Sequence, residues 1–189
     1  MVVNAGCSGP DLTDIDDDDP EFFDEVIQKN YSLGLYSVAH HLLPPLHSQP
    51  PAGKSPKAFF IVESTASFTD DGLIANTQHC VSKLAQLKLV ENIHDRYKNR
   101  GVLAAVVHPG AVLSDMSMTT TPDGVLQYGT DDSSLCGAFM MWLLRPRSVR
   151  RDLMWLGGRC LAANWDVDEL LARKDEIISR NLLKARLAL

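Results

Sequence analysis

Short unbroken apolar runs and longer stretches of helical periodicity alternate along the chain. Ala58-Phe59-Phe60-Ile61-Val62 and Val102-Leu103-Ala104-Ala105-Val106-Val107 have strand length and no polar face, which predicts strands buried on both sides. Val2-Val3 reads as the stub of a further strand, broken at Asn4-Ala5-Gly6. Phe22, Phe23, Val26, Ile27, Leu33 and Val38 recur at helical spacing and predict a helix over 20–42 that ends before Pro44 and Pro45. A Pro/Ser/Gly-rich linker over 44–56 follows, and Val81, Leu84, Leu87, Leu89, Val90 and Ile93 predict an amphipathic helix over 78–98 closed by Gly101. The polar stretch 114–132 reads as a lid or substrate loop. Ser133 or Ser134 then caps a helix that carries Leu135, Phe139, Trp142 and Leu143 on one face, with Pro146 just past its end. A last strand, Met154-Trp155-Leu156 and then Arg159 to Ala162 interrupted by Gly157-Gly158, leads to a final helix opened by an Asp166/Glu169 capping box. Buried-type strands alternating with amphipathic helices predict an α/β parallel sheet covered on both faces.

Composition narrows the function classes. The 189 residues suit one domain, and 45% apolar with 22% charged residues is an ordinary globular balance. The net charge of -6 owes much to one run, Asp14, Asp16 to Asp19, Glu21, Asp24 and Glu25. No basic stripe accompanies it, which argues against a nucleic-acid partner. The run lacks the alternating ligands and central Gly of a calcium loop and reads as a solvated entry into a helix. Cys7, Cys80, Cys136 and Cys160 are scattered without metal-ligand spacing, so no metal site is expected and a reducing, cytoplasmic setting fits. No apolar run is long enough to span a bilayer, so no membrane partner is expected.

In open α/β sheets the ligand crevice lies beyond the C-terminal strand ends, which draws attention to residues 4–6, 64–67 and 108–114. Asn4-Ala5-Gly6 resembles the Asn-Ala-Gly that ends the fourth strand of short-chain dehydrogenases/reductases, and Asn30 falls where that family keeps an Asn in the next helix. Ile61-Val62-Glu63-Ser64-Thr65 resembles the fifth strand with its catalytic serine, and Lys83 matches the lysine of Tyr-x-x-x-Lys. Pro109-Gly110-Ala111-Val112-Leu113-Ser114-Asp115-Met116 resembles Pro-Gly-x-Val-x-Thr-x-Met, and the stretch from Gly158-Arg159 through Asn164-Trp165-Asp166-Val167 is similar to the last strand and tail of fungal members.

The resemblance covers nearly the whole chain. It implies a partial short-chain dehydrogenase/reductase domain over 1–189, a truncated Rossmann-like doubly wound sheet lacking the first three strands. The implied function is an NAD- or NADP-dependent oxidoreductase acting on a carbonyl or secondary alcohol of a small, secondary-metabolite-like substrate. It implies catalytic roles for Asn30, Ser64 or Thr65, His79 and Lys83. It implies cofactor contacts from Asn4, Ala5, Gly6, Lys83, Pro109, Gly110, Val112 and Ser114, and subunit packing through the helices at 20–42 and 78–98. Two departures stand out. His79 takes the place of the family's tyrosine proton donor, and no Gly-rich turn for a pyrophosphate occurs, so catalysis and cofactor binding are expected to be impaired. Beside Lys83 an imidazole is biased toward its neutral form, able to donate one N–H or to act as a base. A cofactor-free enzyme built on His79, and a non-catalytic partner of an intact relative, stay open. So do three accounts of the exposed strand stub: an incomplete gene reading, a degenerate relative and a remnant that pairs with another chain.

Overall fold

The computed structural model describes residues 1–9, 14–48, 57–68, 76–120, 126–145 and 153–187. Four parallel strands, β1 (Val2–Val3), β2 (Lys57–Val62), β3 (Val102–His108) and β4 (Cys160–Ala162), form one sheet in the order β1-β2-β3-β4. The register places Val2 beside Phe60, Phe60 beside Ala105, and Val107 beside Leu161. Successive residues of a strand face opposite sides, so Phe60, Leu103, Ala105 and Val107 share one core with Phe139, Trp142 and Leu143, while Phe59, Ile61, Ala104 and Val106 share the other with Leu35, Leu43, Leu87 and Val90. Both faces are covered, as the unbroken apolar runs predict. Among the described residues β1 pairs only with β2, and Val2 is half exposed at that edge.

The first helical segment runs past its expected end. It comprises α1 (Pro20–Ile27), a π-helical stretch (Gln28–Ser37) and α2 (Val38–Ser48), so Pro44 and Pro45 lie inside a helix rather than after it. The prolines remove N–H donors that would reach the carbonyls of His40 and His41, and both of those residues are exposed, where water can substitute. The wide π turn has its own demand at Gly34, where a Cβ would stand 1.8 Å from the Lys29 carbonyl oxygen. Asp19 caps α1 by accepting from the Glu21 N–H at 2.9 Å, which accounts for part of the acidic run as helix entry.

α3 (Thr77–Tyr97) is capped by Asn76, whose side chain accepts from the His79 N–H, and a 3-10 turn (Lys98–Arg100) carries it to Gly101 in the left-handed conformation. The polar stretch after β3 is partly helical, forming α4 (Asp115–Thr120). α5 (Leu135–Leu143) begins at Ser134, but the side chain that serves its start belongs to Asp132, which accepts from the Ser134 N–H at 2.8 Å. Pro146 and residues 49–56 of the expected linker lie outside the described residues.

The expected last strand is shorter than its apolar residues suggest. Met154–Leu156 forms a 3-10 turn whose N–H groups bond locally, Leu156 to Leu153 O and Gly157 to Met154 O, and only Cys160–Ala162 joins the sheet. The final helix is two, α6 (Val167–Ala172), capped by Asp166, and α7 (Lys174–Ser179). Among the described residues no helix is long and apolar enough to cross a membrane.

Candidate active site

The loop after β1, the π-helical stretch and the start of α3 meet at the C-terminal end of the sheet, and one buried amide joins them. Asn30, 1% exposed, accepts from the Cys7 N–H at 2.8 Å and donates to the Cys7 carbonyl at 2.7 Å, pairing with that backbone as a strand would. Its amide also donates to Ser82 Oγ at 2.9 Å, and its own carbonyl accepts from Gln86 Nε2 at 2.6 Å. Asn76 donates to the Ser8 carbonyl, so the loop is held at two successive residues. Gly6 fits because a Cβ there would lie 3.2 Å from Asn30 Oδ1 and 3.9 Å from Lys83 Nζ.

His79 and Lys83, one turn apart on α3, are both buried beside this loop. The Lys83 ammonium donates to the Val62 carbonyl at 3.1 Å and to Gln86 Oε1 at 3.3 Å, leaving one of its three N–H groups. Burial depresses its pKa, while the nearby Glu63 and Cys7 oppose that. His79 Nδ1 lies 3.1 Å from the Cys7 carbonyl. A carbonyl only accepts, so Nδ1 carries the proton. Burial, then the Lys83 charge, push the His79 pKa down, with the Cys7 carbonyl partly compensating. The positive end of α3 adds to the same bias, because His79 sits in its first turn.

The β2 end contains a group that sequence reasoning missed. Glu63 is 2% exposed, its Oε1 accepts from the Ser64 N–H at 3.0 Å and Ser67 Oγ at 2.7 Å, and its Oε2 is buried without a hydrogen bond. Burial pushes its pKa up to about 7, against the pull of the Lys83 ammonium. A carboxylate between an apolar run and Ser64 was visible in the sequence as a polar interruption, yet its burial depends on the 3-10 turn Thr65–Phe68 that folds Ser67 back over it. Ser64 is half-buried and its Oγ accepts locally from the Ala66 N–H at 3.2 Å, whereas Thr65 is exposed.

The opposite rim begins where β3 ends. Gly110, at φ +96, has the Asp131 carboxylate where a Cβ would stand, 2.5 Å away, and Asp131 accepts from the Ala111 N–H at 2.7 Å and from Asn164 Nδ2 at 3.1 Å. This bracket, formed by two residues that no spacing marks, leaves Ala111, Leu113 and Ser114 exposed, with Pro109 and Val112 half-buried. Ser114 is engaged with Ser117, whose N–H donates to Ser114 Oγ at 3.2 Å. Asn4, Ala5 and Gly6 are exposed on the β1 side. The structure thus brings Asn30, His79, Lys83 and the 4–6 loop together, puts Ser64 and Thr65 on the turn beside α3, and sets 109–114 as a separate rim.

Lys83, with one N–H unspent, is the group here that could meet a ligand hydroxyl such as that of a nicotinamide ribose. A pyrophosphate needs a Gly-rich strand-turn-helix with free backbone N–H groups, and none occurs among the described residues. Those residues also contain no His/Cys/Asp/Glu cluster able to hold a metal ion.

No family model matches the sequence. Curated relatives do. The chain is 30% identical over 174 residues to Short chain dehydrogenase pgmD of Aspergillus terreus, a match covering 92% of this chain and 53% of the relative. It is 30% identical over 190 residues to Short chain dehydrogenase pigC of Monascus ruber, covering 98% of this chain and 57% of the relative. The chain therefore spans about half the length of these relatives. Its fold is similar to that of the NADPH-bound carbonyl reductase from chicken fatty liver, with TM-score 0.64 and 21% identity over 86% of this chain and 62% of that one.

Glu63 generates a stability prediction. A carboxyl whose pKa is raised from 4.5 to about 7 on folding lends stability that is complete below the lower value and lost as pH rises through the upper one. Replacing Glu63→Gln removes the charging step, so the variant gains about 2 to 3 kcal/mol relative to the natural chain between pH 5 and 8. Denaturant unfolding at the two pH values checks this; an unchanged pH dependence contradicts it.

Proposed function

We propose, from the chain's place among the short-chain dehydrogenases/reductases, that it is the carbonyl-facing part of an oxidoreductase that interconverts a carbonyl and a secondary alcohol on a small, secondary-metabolite-like substrate. The observation that carries this reading is the convergence of Asn30, His79 and Lys83 on one buried network at the C-terminal ends of parallel strands. That is where an open α/β sheet binds its ligand. NADP or NAD, when bound, supplies the hydride chemistry. Lys83 is the group to hold the nicotinamide ribose hydroxyls, with Asn4 and Ala5 near the adenosine side, the Val112 backbone and Ser114 meeting the carboxamide and phosphates, and Gly6, Pro109 and Gly110 as further cofactor contacts. The hydroxyl of Ser64 or Thr65 donates to the substrate oxygen. Asn30 acts through the backbone of Cys7, as a positioning residue.

On this reading His79 limits carbonyl reduction, because its single proton is committed to Cys7 and its ring resists a second. Positioned acid catalysis is worth about 10² to 10⁴-fold. Titration with NADPH and with NADH, followed by fluorescence or calorimetry, is expected to saturate; no binding at millimolar cofactor removes the redox reading for this chain. Where cofactor binds, His79→Tyr is expected to raise carbonyl reductase turnover by about 10². No gain counts against the role given to position 79.

The same reading carries self-association through the first helical segment and α3. Phe22, Leu33, Tyr36 and Leu42 on the former and Val81 and Leu84 on the latter are large apolar side chains left exposed, the composition of a covered face. Analytical sedimentation is expected to show a dimer or larger that Leu84→Glu dissociates; a monomer at all accessible concentrations refutes it.

A further inference from the structure

The tail beyond α7 carries positive charge to a place that is already positive. The Leu183 carbonyl accepts from the Cys160 N–H at 2.9 Å, and the Ala185 N–H donates to Glu91 Oε1 at 3.1 Å, so Lys184 is pinned on both sides. Arg159, buried just before β4, donates from Nε to the Trp155 carbonyl at 2.9 Å and from Nη1 to the Leu182 carbonyl. Glu91, also buried, takes Lys88 at 2.7 Å and Arg186 at 3.1 Å. His94, three residues further along α3, is wedged against Gly157, where a Cβ would stand 2.0 Å from its Cε1. Lys98 completes the group, paired with Asp95 at 2.5 Å.

The charges in this cluster do not balance. Lys88, Lys98, Arg159, Lys184 and Arg186 face the carboxylates of Glu91 and Asp95, within a chain whose net charge is -6. The cations repel one another. Beyond the effect of burial, Arg186 lowers the Arg159 pKa, Arg159 and Arg186 lower that of Lys184, and Lys184 and Lys98 hold His94 down to about 4. Among the described residues the Lys184 ammonium has no hydrogen-bond or ion-pair partner, and Arg159 Nη2 spends no proton. The carbonyl end of α3 draws Lys98 to this place, but Arg159, Lys184 and Arg186 arrive from the start of β4 and from the tail.

Repulsion among fixed cations is relieved by an anion, and a monovalent one leaves most of it in place. A phosphate monoester carries about -1.5 to -2 at neutral pH on three acceptor oxygens, which suits a lysine point charge beside an arginine fork. The cluster is a compact patch, not the stripe that a nucleic-acid backbone follows. We propose that Lys184, Arg159 and Arg186, gathered around Glu91, form a binding site for a phosphate group. α3 runs from His79 and Lys83 at the C-terminal ends of the strands to His94 and Lys98 at their N-terminal ends. The phosphate site therefore lies across the sheet from the candidate active site and is independent of the oxidoreductase reading. A bound phosphate ties the tail to α3 and to the start of β4.

Calorimetric titration of the full chain at neutral pH, with inorganic phosphate and with glycerol 3-phosphate as probes, is expected to saturate. Tighter binding of glycerol 3-phosphate marks an organic monoester as the ligand, and equal affinity marks the free ion. Lys184→Gln removes one charge and no hydrogen bond within the chain. It is expected to weaken binding about tenfold or more, as the loss of a hydrogen bond to a charged group does, while its unfolding transition without phosphate stays in place. Lys29→Gln removes the same charge at an exposed ion pair with Glu25 and is expected to bind as the natural chain does. In amide NMR spectra, phosphate is expected to shift the Cys160 and Ala185 resonances. Titrations that do not saturate, equal weakening in the two variants, or shifts confined to the 109–114 rim overturn the proposal.

Discussion

The two-point pairing of the Asn30 amide with the backbone of Cys7 is the constraint from which the rest of the site follows. Each hydrogen bond contributes about 1 kcal/mol net, but the pairing matters more for what its loss exposes. Without it, the Cys7 N–H in this half-buried loop loses its partner, and the Asn30 amide, if left unpaired in its buried position, would cost about 1 to 3 kcal/mol. Because the Cys7 carbonyl also receives Nδ1 of His79, the amide that fixes the loop fixes the tautomer of the ring. Ser82, bridging Asn30 and the His79 carbonyl, and Gln86, bridging the Asn30 carbonyl and Lys83, make the π-helical stretch and α3 one polar unit.

The electrostatics of this unit are those of a buried cation whose counter-charge makes no hydrogen bond to it. Lys83 rests on neutral acceptors, Val62 O and Gln86 Oε1, and its nearest carboxylate, Glu63, is itself buried and raised toward neutrality. Burial lowers the ammonium pKa and raises the carboxyl pKa, so each group draws the other toward its charged form while the surroundings draw both away. An acidic phenol next to such a lysine would gain ionisation. An imidazole loses it, since its charged form has the same sign as its neighbour. A phenol and an imidazole at position 79 would therefore respond in opposite senses to the same lysine.

The first three strands and the helix over 77–97 were legible because they rest on periodicity that residue type alone satisfies, whereas the expected last strand kept only Cys160–Ala162. Lys83 and His79 shared a face by spacing alone. The run of the first helix through Pro44 and Pro45 was not legible, since the cost of an interior proline depends on whether the freed carbonyls meet water, which only exposure reveals. The π-helical stretch leaves no periodic mark beyond a glycine at position 34. Glu63 and Asp131 escaped for another reason: their roles come from a turn that folds Ser67 back and from a loop that brings residue 131 against Gly110, contacts between segments that spacing does not encode. Asn76 was within reach, as a cap residue ahead of an amphipathic run.

Hydrogen exchange at the Cys7 amide tests the central claim most directly. Although it lies in an irregular loop, the account predicts protection comparable to the β2 and β3 amides, lost selectively in Asn30→Ala while those strands keep theirs. Exchange of the Cys7 amide at the rate of an open loop in the natural chain would contradict it.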